Sequence, residues 1–319
     1  MKLALYLPNL RDKITVSEIV DLAQEAETLG FDSVWSLDRI VVPEASDRQE
    51  LEKSFGFMVS ARAEFLHGMP LIPYLAAITK HVRLGVSIIV TPYRAPGVLA
   101  AELATWDHLS GGRLNVGVGS GWMPEEFAAS SAAHVYKKRN KHVRETIEVM
   151  QGIWTNELFE YHGEFADFPK CGFGVKPVQK PRPPMFFGGL GRPDLAAARV
   201  AKYGLEGWIG IMDTPEAIAA WRTAIQDESE KLDSAHTIND IEISSMLPFE
   251  ITRDKTDQTP RGKLTPTLVG TAEQITDNLK RYRDAGLTMP LLWPPFSGTP
   301  TAKTIGDMRR LVHDILPKV

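Results

Sequence analysis

Two glycine-rich segments of this 319-residue sequence contain the residue types that most directly suggest ligand binding. They comprise Gly119, Ser120, Gly121 and Trp122 in the first segment, and Gly188, Gly189, Leu190, Gly191 and Arg192 in the second. Each segment follows a short apolar run, so its backbone amides could approach an anion or a planar ring at the end of a strand. Glycines also allow tight strand-to-helix connections without any ligand, and the pattern alone leaves both interpretations open.

Three further side chains could take part in catalysis. Asp38 and Arg39 directly follow the apolar run 33–37. They could pair with each other and stabilise the end of a strand, or they could offer charge to a substrate or a developing anion. His67 lies in the long segment 39–69 and could face the same site, although a surface histidine is the alternative. We therefore take Asp38, Arg39 and His67 as candidate catalytic residues.

Composition and motif content argue against several other classes of function. The net charge is −4 and the basic residues are scattered, which does not favour a nucleic-acid partner. The eight histidines form no H-x-H or H-x-x-x-H pair, so no metal site is expected. Neither a G-x-S-x-G nucleophile motif nor a P-loop occurs. No apolar run approaches the ~18 residues of a membrane span, and the lone Cys171 fits a reducing cytoplasm.

The elements that must position these residues alternate regularly. Short apolar runs, each followed by a segment with helical spacing, predict strands at 3–7, 33–37, 83–90, 114–118, 185–187, 208–211, 241–247 and 289–293. Capping boxes, Thr15 with Glu18 and Thr271 with Gln274, mark the starts of two helices. Eight strands that alternate with eight helices predict an α/β fold, the (β/α)8 TIM barrel. A doubly wound open sheet is the alternative, but the turn after the first strand lacks glycine.

The chain is predicted to form one barrel domain, residues 1–319, with three insertions. They follow strands two, four and seven, at about 39–69, 155–183 and 252–268. Active sites of such barrels lie at the carboxyl ends of the strands, where both glycine-rich segments and the candidate catalytic residues would meet. The first insertion also contains apolar side chains that could seal a substrate pocket against water. These are Phe55, Phe57, Met58 and Phe65.

Five stretches of the sequence form a recognisable set. They are 23–38 (AQEAETLGFDSVWSLD), 71–96 (with AAITKHVRLG and TPYRAP), 100–127 (with AELATWDHLSGGRLNVGVGSGWMPEEF), 176–189 (KPVQKPRPPMFFGG) and 268–286 (LVGTAEQITDNLKRYRDAG). Together they cover most of the chain and resemble, in the expected order, the bacterial luciferase-like monooxygenase family. The resemblance implies an enzyme on a (β/α)8 barrel that uses a reduced flavin-type cofactor, either FMN or the deazaflavin coenzyme F420.

The resemblance also implies where the cofactor lies. In similar proteins the ring packs against the third strand, often over a cis peptide, which corresponds to Ser87 and Ile88 here. The cofactor phosphate is bound by the turns after strands four and five, which correspond to the two glycine-rich segments. Arg139, at the start of the fourth predicted helix, is a further candidate for the phosphate, or a solvated arginine at a helix end.

One departure from the family's pattern concerns the second strand. Many relatives carry Asp-His after it, whereas this sequence has Asp38 followed by Arg39. A histidine can exchange a proton near neutral pH and an arginine effectively cannot, which puts an acid/base role of this position in doubt. Arg39 could instead bind an anionic group or stabilise negative charge on a reduced ring.

The implied activity is that of a cytoplasmic oxidoreductase, as a homodimer, on a small and apolar organic substrate. With reduced FMN it would be a monooxygenase that uses O2 and a separate flavin reductase, and with F420 it would transfer hydride. The stretches GVSIIVTPYRAP and LSGGRLNVGVGSGWMPEEF look most like the F420-dependent subgroup, which favours F420. Two alternatives are a flavin-binding relative without turnover and, on the fold alone, a metal-dependent barrel hydrolase.

Overall fold

The computed structural model of the protein describes residues 1–44, 60–189, 193–234, 236–258, 268–294 and 299–319. The strands are β1 (Ala4–Tyr6), β2 (Ser33–Ser36), β3 (Arg83–Val90), β4 (Leu114–Gly119), β5 (Leu158–His162), β6 (Asp167–Gly172), β7 (Met185–Gly188), β8 (Gly207–Ile211), β9 (Glu242–Ile251), β10 (Leu268–Gly270) and β11 (Met289–Trp293). The α-helices are α1 (Val16–Thr28), α2 (Gly68–Ile78), α3 (Pro96–Leu109), α4 (Pro124–Ala129), α5 (Arg139–Thr155), α6 (Pro193–Lys202), α7 (Pro215–Lys231), α8 (Ala272–Asp284) and α9 (Thr301–Arg310).

Eight of these strands are parallel and close into a barrel. Their order around it is β1, β2, β3, β4, β7, β8, β9 and β11. The pairing of β11 with β1 and of β8 with β9 completes the ring. Each of the eight predicted apolar runs overlaps one barrel strand, so the predicted (β/α)8 TIM barrel is confirmed. The strands and the surrounding helices bury a large apolar core between them, which includes Leu84, Val116 and Ile147.

Two glycines of the barrel strands are required by close neighbours, which are a buried tryptophan for one and a backbone carbonyl for the other. Trp35 of β2 is fully buried, and its ring meets that of Phe186 edge to face with centroids 5.2 Å apart. A Cβ on Gly85 of β3 would lie 2.4 Å from the Trp35 ring. A Cβ on Gly117 of β4 would lie 3.4 Å from that ring and 2.4 Å from the carbonyl oxygen of Val86. Trp35 therefore fits only because the neighbouring strand β3 carries no side chain at Gly85, whereas Gly117 makes room for the carbonyl group of Val86.

The predicted insertions contain secondary structure of their own. The second forms an antiparallel hairpin of β5 and β6, and the third ends in β10, which pairs in parallel with β9. Much of the first insertion, residues 45–59, lies outside the described residues. The predicted pocket residues Phe55, Phe57 and Met58 are among them, whereas Phe65 is described and half-buried. Their contribution to a substrate pocket stays a prediction.

Both predicted capping boxes are present, and the first of them also joins α1 to α9. Glu18 accepts hydrogen bonds from the backbone N–H of Thr15 at 3.0 Å and from Thr301 Oγ1 at 2.7 Å, and it pairs with Arg11. Burial acts to raise the pKa of Glu18, but these hydrogen bonds outweigh it and lower the pKa to about 2. The ionised carboxylate thus stabilises the contact between the two helices.

Replacing Gly85 by alanine should destabilise the barrel, because the added methyl group would overlap the Trp35 ring. Overpacking of this kind costs about 1–3 kcal/mol. Urea denaturation should therefore show a lower midpoint with an unchanged slope. Gly174→Ala is the matched control, because a Cβ there would have nothing within 4 Å. An equal loss in both variants would show that Trp35 does not impose the glycine.

Glu18→Gln should lower the free energy of unfolding at neutral pH by about 1 kcal/mol, the usual contribution of a helix cap. The folded pKa of Glu18 lies below its ordinary value of 4.5, so the wild-type advantage is complete above pH 4.5 and is lost as the pH falls through about 2. The difference in thermal midpoint between the two proteins should therefore stay constant down to about pH 4.5, and become smaller as the pH falls from there toward about 2. Melts at neutral pH, about pH 4 and about pH 3 test this. A difference that stays constant over this range would contradict the assignment.

Candidate functional site

A cavity of about 400 Å3 opens at the carboxyl ends of the barrel strands, where the sequence predicts a site. Its apolar lining includes Leu37, Ile88, Phe187, Ile209, Ile211 and Met246. Its charged lining consists of Arg39, Arg139 and Arg199. None of the described residues that line it is acidic. The cavity therefore combines apolar surface with positive charge, which suits a ligand that has both a flat apolar part and an anionic group.

Most of the residues predicted to hold the cofactor line this one cavity. They are Ser87, Ile88, Ser120, Gly121, Trp122, Arg139, Gly188 and Gly189. Gly119 lies at the end of β4 just behind them. The remaining three, Leu190, Gly191 and Arg192, lie outside the described residues. The structure thus brings the predicted set together, and its binding of a cofactor stays a prediction.

The glycines of the two turns accommodate a side chain of the protein itself. A Cβ on Gly119 would lie 1.8 Å from Ile88 Cδ1, and a Cβ on Gly188 would lie 2.5 Å from Ile88 Cγ2. Ile88 therefore fills the space between β4 and β7 that a larger residue at either position would need. Gly121 has φ +68°, and a Cβ there would meet Val90 Cγ1 at 2.4 Å. All three glycines therefore make room for side chains of the protein itself, which is neither of the two interpretations, ligand binding or a tight turn, that the sequence offers.

The peptide bond between Ser87 and Ile88 is cis, as the family resemblance implies for this place. Ser87 is buried in the third strand, and its carbonyl oxygen accepts a hydrogen bond from Tyr6 Oη at 3.4 Å. Burial raises the pKa of Tyr6 well above its ordinary value. The phenol therefore keeps its proton near neutral pH and remains a donor.

Arg139 is fixed at the cavity by the turn that follows β4. Its Nε donates to the carbonyl oxygen of Gly121 at 3.2 Å, and its Nη1 donates to that of Tyr136 at 2.9 Å. The guanidinium also lies 4.6 Å from the centre of the Tyr136 ring, and Tyr136 Oη in turn donates to the carbonyl oxygen of Trp122 at 3.1 Å. Arg139 is therefore a positioned arginine that faces the cavity, and the alternative of a solvated helix-end arginine does not describe it.

A second arginine at the same side of the cavity, Arg199 of α6, was not singled out from the sequence. Its Nη2 donates to Asn140 Oδ1 at 3.1 Å, and its guanidinium lies 5.0 Å from the centre of the Phe187 ring. Burial, together with the nearby positive charge of Arg144, lowers the pKa of Arg199 below its ordinary value. Arg199 lies in the last turn of α6, so the pattern of an anion site at a helix N-terminus does not select it, and no local signal in the sequence identifies it.

The carboxylate of Asp38 is fully engaged within the protein. Arg94 donates to it from both terminal nitrogens at 2.6 and 2.8 Å, the backbone N–H of Val90 donates at 2.9 Å, and His67 Nε2 lies 3.1 Å away. Burial acts to raise the pKa of Asp38, but His67 and Arg94 outweigh it and hold the pKa below its ordinary value. Neither Asp38 nor His67 is among the described residues that line the cavity. Asp38 thus joins the ends of β2 and β3, and a catalytic role for either residue stays a prediction.

Arg39 does not pair with Asp38, although the sequence left that possibility open. Its Nη1 donates to Glu126 Oε2 at 3.1 Å and lies 3.4 Å from Met123 Sδ. The guanidinium is 5.7 Å from the centre of the Trp122 ring. The side chains of Arg39 and Glu126 are only 9% and 3% exposed. The two neighbours Asp38 and Arg39 therefore belong to separate buried ion pairs.

Glu126 holds Arg39 from the first turn of α4. Its Oε1 accepts a hydrogen bond from the backbone N–H of Ile40 at 2.8 Å, and its Oε2 accepts one from Tyr93 Oη at 3.0 Å. Burial and the Glu126 charge raise the pKa of Tyr93, so its hydroxyl remains a donor. In the sequence, Glu126 looks like an ordinary acidic residue of a helix N-terminus, and no local pattern indicates its partner.

Asp213, directly after β8, is another carboxyl that the sequence analysis did not single out. Ser245 Oγ donates to its Oδ2 at 2.8 Å, and Trp221 Nε1 donates to its Oδ1 at 3.2 Å. Burial raises the pKa of Asp213 to about 6, and these hydrogen bonds only partly oppose the rise. The rule that selects Asp38, a polar residue directly after a barrel strand, applies to Asp213 as well.

The described part of the chain contains neither a cluster of metal ligands nor a membrane-spanning helix. No group of three or more His, Cys, Asp or Glu side chains in the described ranges could hold a metal ion. No described helix is both long and apolar enough to cross a membrane.

Comparisons with known proteins identify sequence relatives and a shared fold. An uncharacterized protein of Mycobacterium tuberculosis is 29% identical over 221 residues, which is 66% of this chain and 72% of that protein. The FMNH2-dependent dimethylsulfone monooxygenase of Pseudomonas putida is 30% identical over 204 residues, 60% of this chain and 52% of that protein. The structure of an F420-dependent secondary alcohol dehydrogenase superposes with a TM-score of 0.77 at 17% identity, over 100% of this chain and 98% of its own, which shows a shared fold.

The match to a protein family covers more of the chain than either of the two sequence relatives. The family described as luciferase-like monooxygenase matches residues 2–259, which include all the candidate site residues. The resemblance seen in the sequence is therefore confirmed. This chain belongs to the luciferase-like monooxygenase family, whose members are flavin- or F420-dependent monooxygenases and oxidoreductases.

Proposed function

We propose that this protein is an oxidoreductase that binds a reduced flavin-type cofactor in the cavity at the carboxyl ends of the barrel strands and acts on a small organic substrate. The observation that carries the proposal is the lining of that cavity, where apolar side chains stand beside arginines. A flavin or deazaflavin coenzyme joins a planar ring to a phosphate-bearing chain, so it requires both kinds of surface.

The two parts of such a cofactor would contact different residues. Ile88 and Phe187 offer apolar contacts for the ring. Arg139 and Arg199 would hold the phosphate, because their hydrogen bonds within the described structure leave part of each guanidinium free to donate. The start of α6 at Pro193 adds a helix N-terminus on the same side, which favours an anion. Gly119 and Gly188 would contribute by letting Ile88 pack between them.

We take reduced FMN as the first candidate for the cofactor and F420 as the second. The relative that is named FMNH2-dependent is 30% identical to this chain, whereas the F420-dependent dehydrogenase is 17% identical and shares the fold alone. The stretches around β3 and β4 that resemble the F420-dependent subgroup support the second candidate. With FMN, the protein would be a monooxygenase that uses O2 and receives the reduced cofactor from a separate flavin reductase.

The protein's own residues would bind and orient the ligands and shield them from water. The cofactor supplies the electrons, for oxygen insertion with FMN or hydride transfer with F420. The apolar side chains of Ile88, Ile209 and Met246 exclude water from the inner part of the cavity. Asp38 fixes Arg94, and Glu126 fixes Arg39, so neither pair has to rearrange when a ligand binds.

Cofactor binding by the purified protein should test the proposal directly. Titration with FMN, with reduced FMN under anaerobic conditions and with F420, followed by absorbance and fluorescence, should give saturable binding of one cofactor. Arg139→Ala and Arg199→Ala should each weaken that binding about tenfold or more, because each removes a charged hydrogen-bond donor from the phosphate. The proposal fails if neither cofactor saturates.

Lys202→Ala is the matched control for Arg199→Ala. Lys202 also lies on α6 and carries one positive charge, but it is exposed and does not line the cavity. Its replacement should leave cofactor affinity unchanged. An equal loss in both variants would mean that net charge, rather than a located phosphate contact, governs binding.

Turnover separates the enzyme from a flavin-binding relative that does no chemistry. Cofactor-dependent oxidation or reduction of an added substrate, or substrate-dependent O2 consumption with reduced FMN, supports the enzyme. A cytoplasmic location and a homodimer stay predictions from the sequence and the family resemblance.

A further inference from the structure

We infer that Arg39 binds an anionic group of the substrate, so that the site selects small organic molecules with an apolar body and a carboxylate or similar oxoanion. This inference rests on the proposed function, because it places a substrate beside a cofactor in the same cavity. It also changes the expectation of a purely apolar substrate that the sequence supports.

The first step of the argument is the unused hydrogen-bonding capacity of Arg39. The side chain is 9% exposed and lines the cavity. Only Nη1 has partners, Glu126 and Met123, and in the described part of the chain Nε and Nη2 donate to nothing. A buried guanidinium normally satisfies most of its five N–H groups, since unpaired donors away from water are costly. The free edge of Arg39 is thus prepared for an acceptor that comes from outside the protein.

The second step is that Arg39 is held still. Glu126 fixes Nη1 and is itself fixed by the backbone N–H of Ile40 and by Tyr93 Oη. Trp122 lies beside the guanidinium and limits its movement on another side. A planar, pre-positioned guanidinium can meet two oxygens of a carboxylate at once, which a neutral amide cannot match. Trp122 also offers an apolar surface next to this anion position.

The third step assigns this anion to the substrate rather than to the cofactor. The arginines that suit the cofactor phosphate, Arg139 and Arg199, lie on α5 and α6, the helices associated with β4 and β7. Arg39 follows β2, but its guanidinium reaches Trp122 and Glu126, which follow β4, and Glu126 already balances its charge. In the described ranges, by contrast, Arg139 and Arg199 donate to carbonyl and amide oxygens and not to a carboxylate. Arg139 and Arg199 account for the binding of one cofactor phosphate. We therefore assign the phosphate to Arg139 and Arg199, and Arg39, whose charge Glu126 already balances, to a second ligand with a single negative charge.

Benzoate and benzamide provide a matched pair of probes, because they share shape and differ in charge. Their affinities can be measured by titration of the cofactor-loaded protein, from changes in cofactor absorbance, and of the protein alone, from the thermal midpoint. Benzoate should bind at least about tenfold more tightly than benzamide, as expected for a charged bidentate contact. In Arg39→Gln this preference should fall to about twofold or less.

Two variants that contain Glu126→Gln distinguish a loss of anion binding at Arg39 from a general loss of structure. Arg39→Gln leaves a buried carboxylate without its counter-charge, so the double variant Arg39→Gln/Glu126→Gln should lose the preference without that penalty. Glu126→Gln keeps Arg39 and removes the competing negative charge, so it should retain or increase the preference for benzoate. If the ion pair only stabilised the fold, Glu126→Gln would lose the preference as fully as Arg39→Gln.

Several outcomes would overturn the inference. Equal affinities of the wild-type protein for benzoate and benzamide would show that no anion position exists. Loss of FMN or F420 affinity in Arg39→Gln, with the probe preference intact, would assign Arg39 to the cofactor. Failure of the proposed function looks different, because it is the absence of saturable cofactor binding. In that case, the titrations of the protein alone still decide whether Arg39 selects anions.

Discussion

Burial of charge at the carboxyl end of the barrel is the constraint on which this part of the structure depends. A buried charge without a partner costs several kcal/mol, roughly 3–5 when one member of a pair is removed. Asp38 meets this requirement with Arg94 and His67, and Arg39 meets it with Glu126. These pairs join the ends of β2 and β3 and the start of α4. They fix three elements around the cavity through directional hydrogen bonds between charged groups.

Packing fixes the remaining elements through a different kind of fit. Ile88 of β3 occupies the space that Gly119 and Gly188 leave open, so β4 and β7 approach the third strand at the base of the cavity. Deeper in the barrel, Trp35 makes the same demand on Gly85. The glycines that suggest a ligand site in the sequence therefore make room, in the structure, for side chains of the protein itself. A cofactor would bind against a surface that this packing has already shaped.

The sequence predicts the fold far better than it predicts the partners within the site. Strand alternation and capping boxes are local patterns, and the barrel rule then places both glycine-rich turns at one end. The partners are not local: Arg94 is 56 residues from Asp38, and Glu126 is 87 residues from Arg39. Glu126 also has a sufficient local explanation as an acidic residue in a first helical turn, which hides its longer-range role. Only the closed barrel brings such residues into contact.

The arginine that follows Asp38 determines what this position can do. A histidine could exchange a proton there, whereas Arg39 provides a permanent charge with a fixed direction. That charge requires Glu126 on α4, because an arginine so deeply buried would otherwise be uncompensated. Arg39 and Glu126 therefore form one unit, in which the carboxylate holds one terminal nitrogen and leaves the rest of the guanidinium for a ligand. Arg94 already pairs with the neighbouring charge of Asp38. Selection of a ligand by its charge at this side of the cavity therefore depends on Arg39.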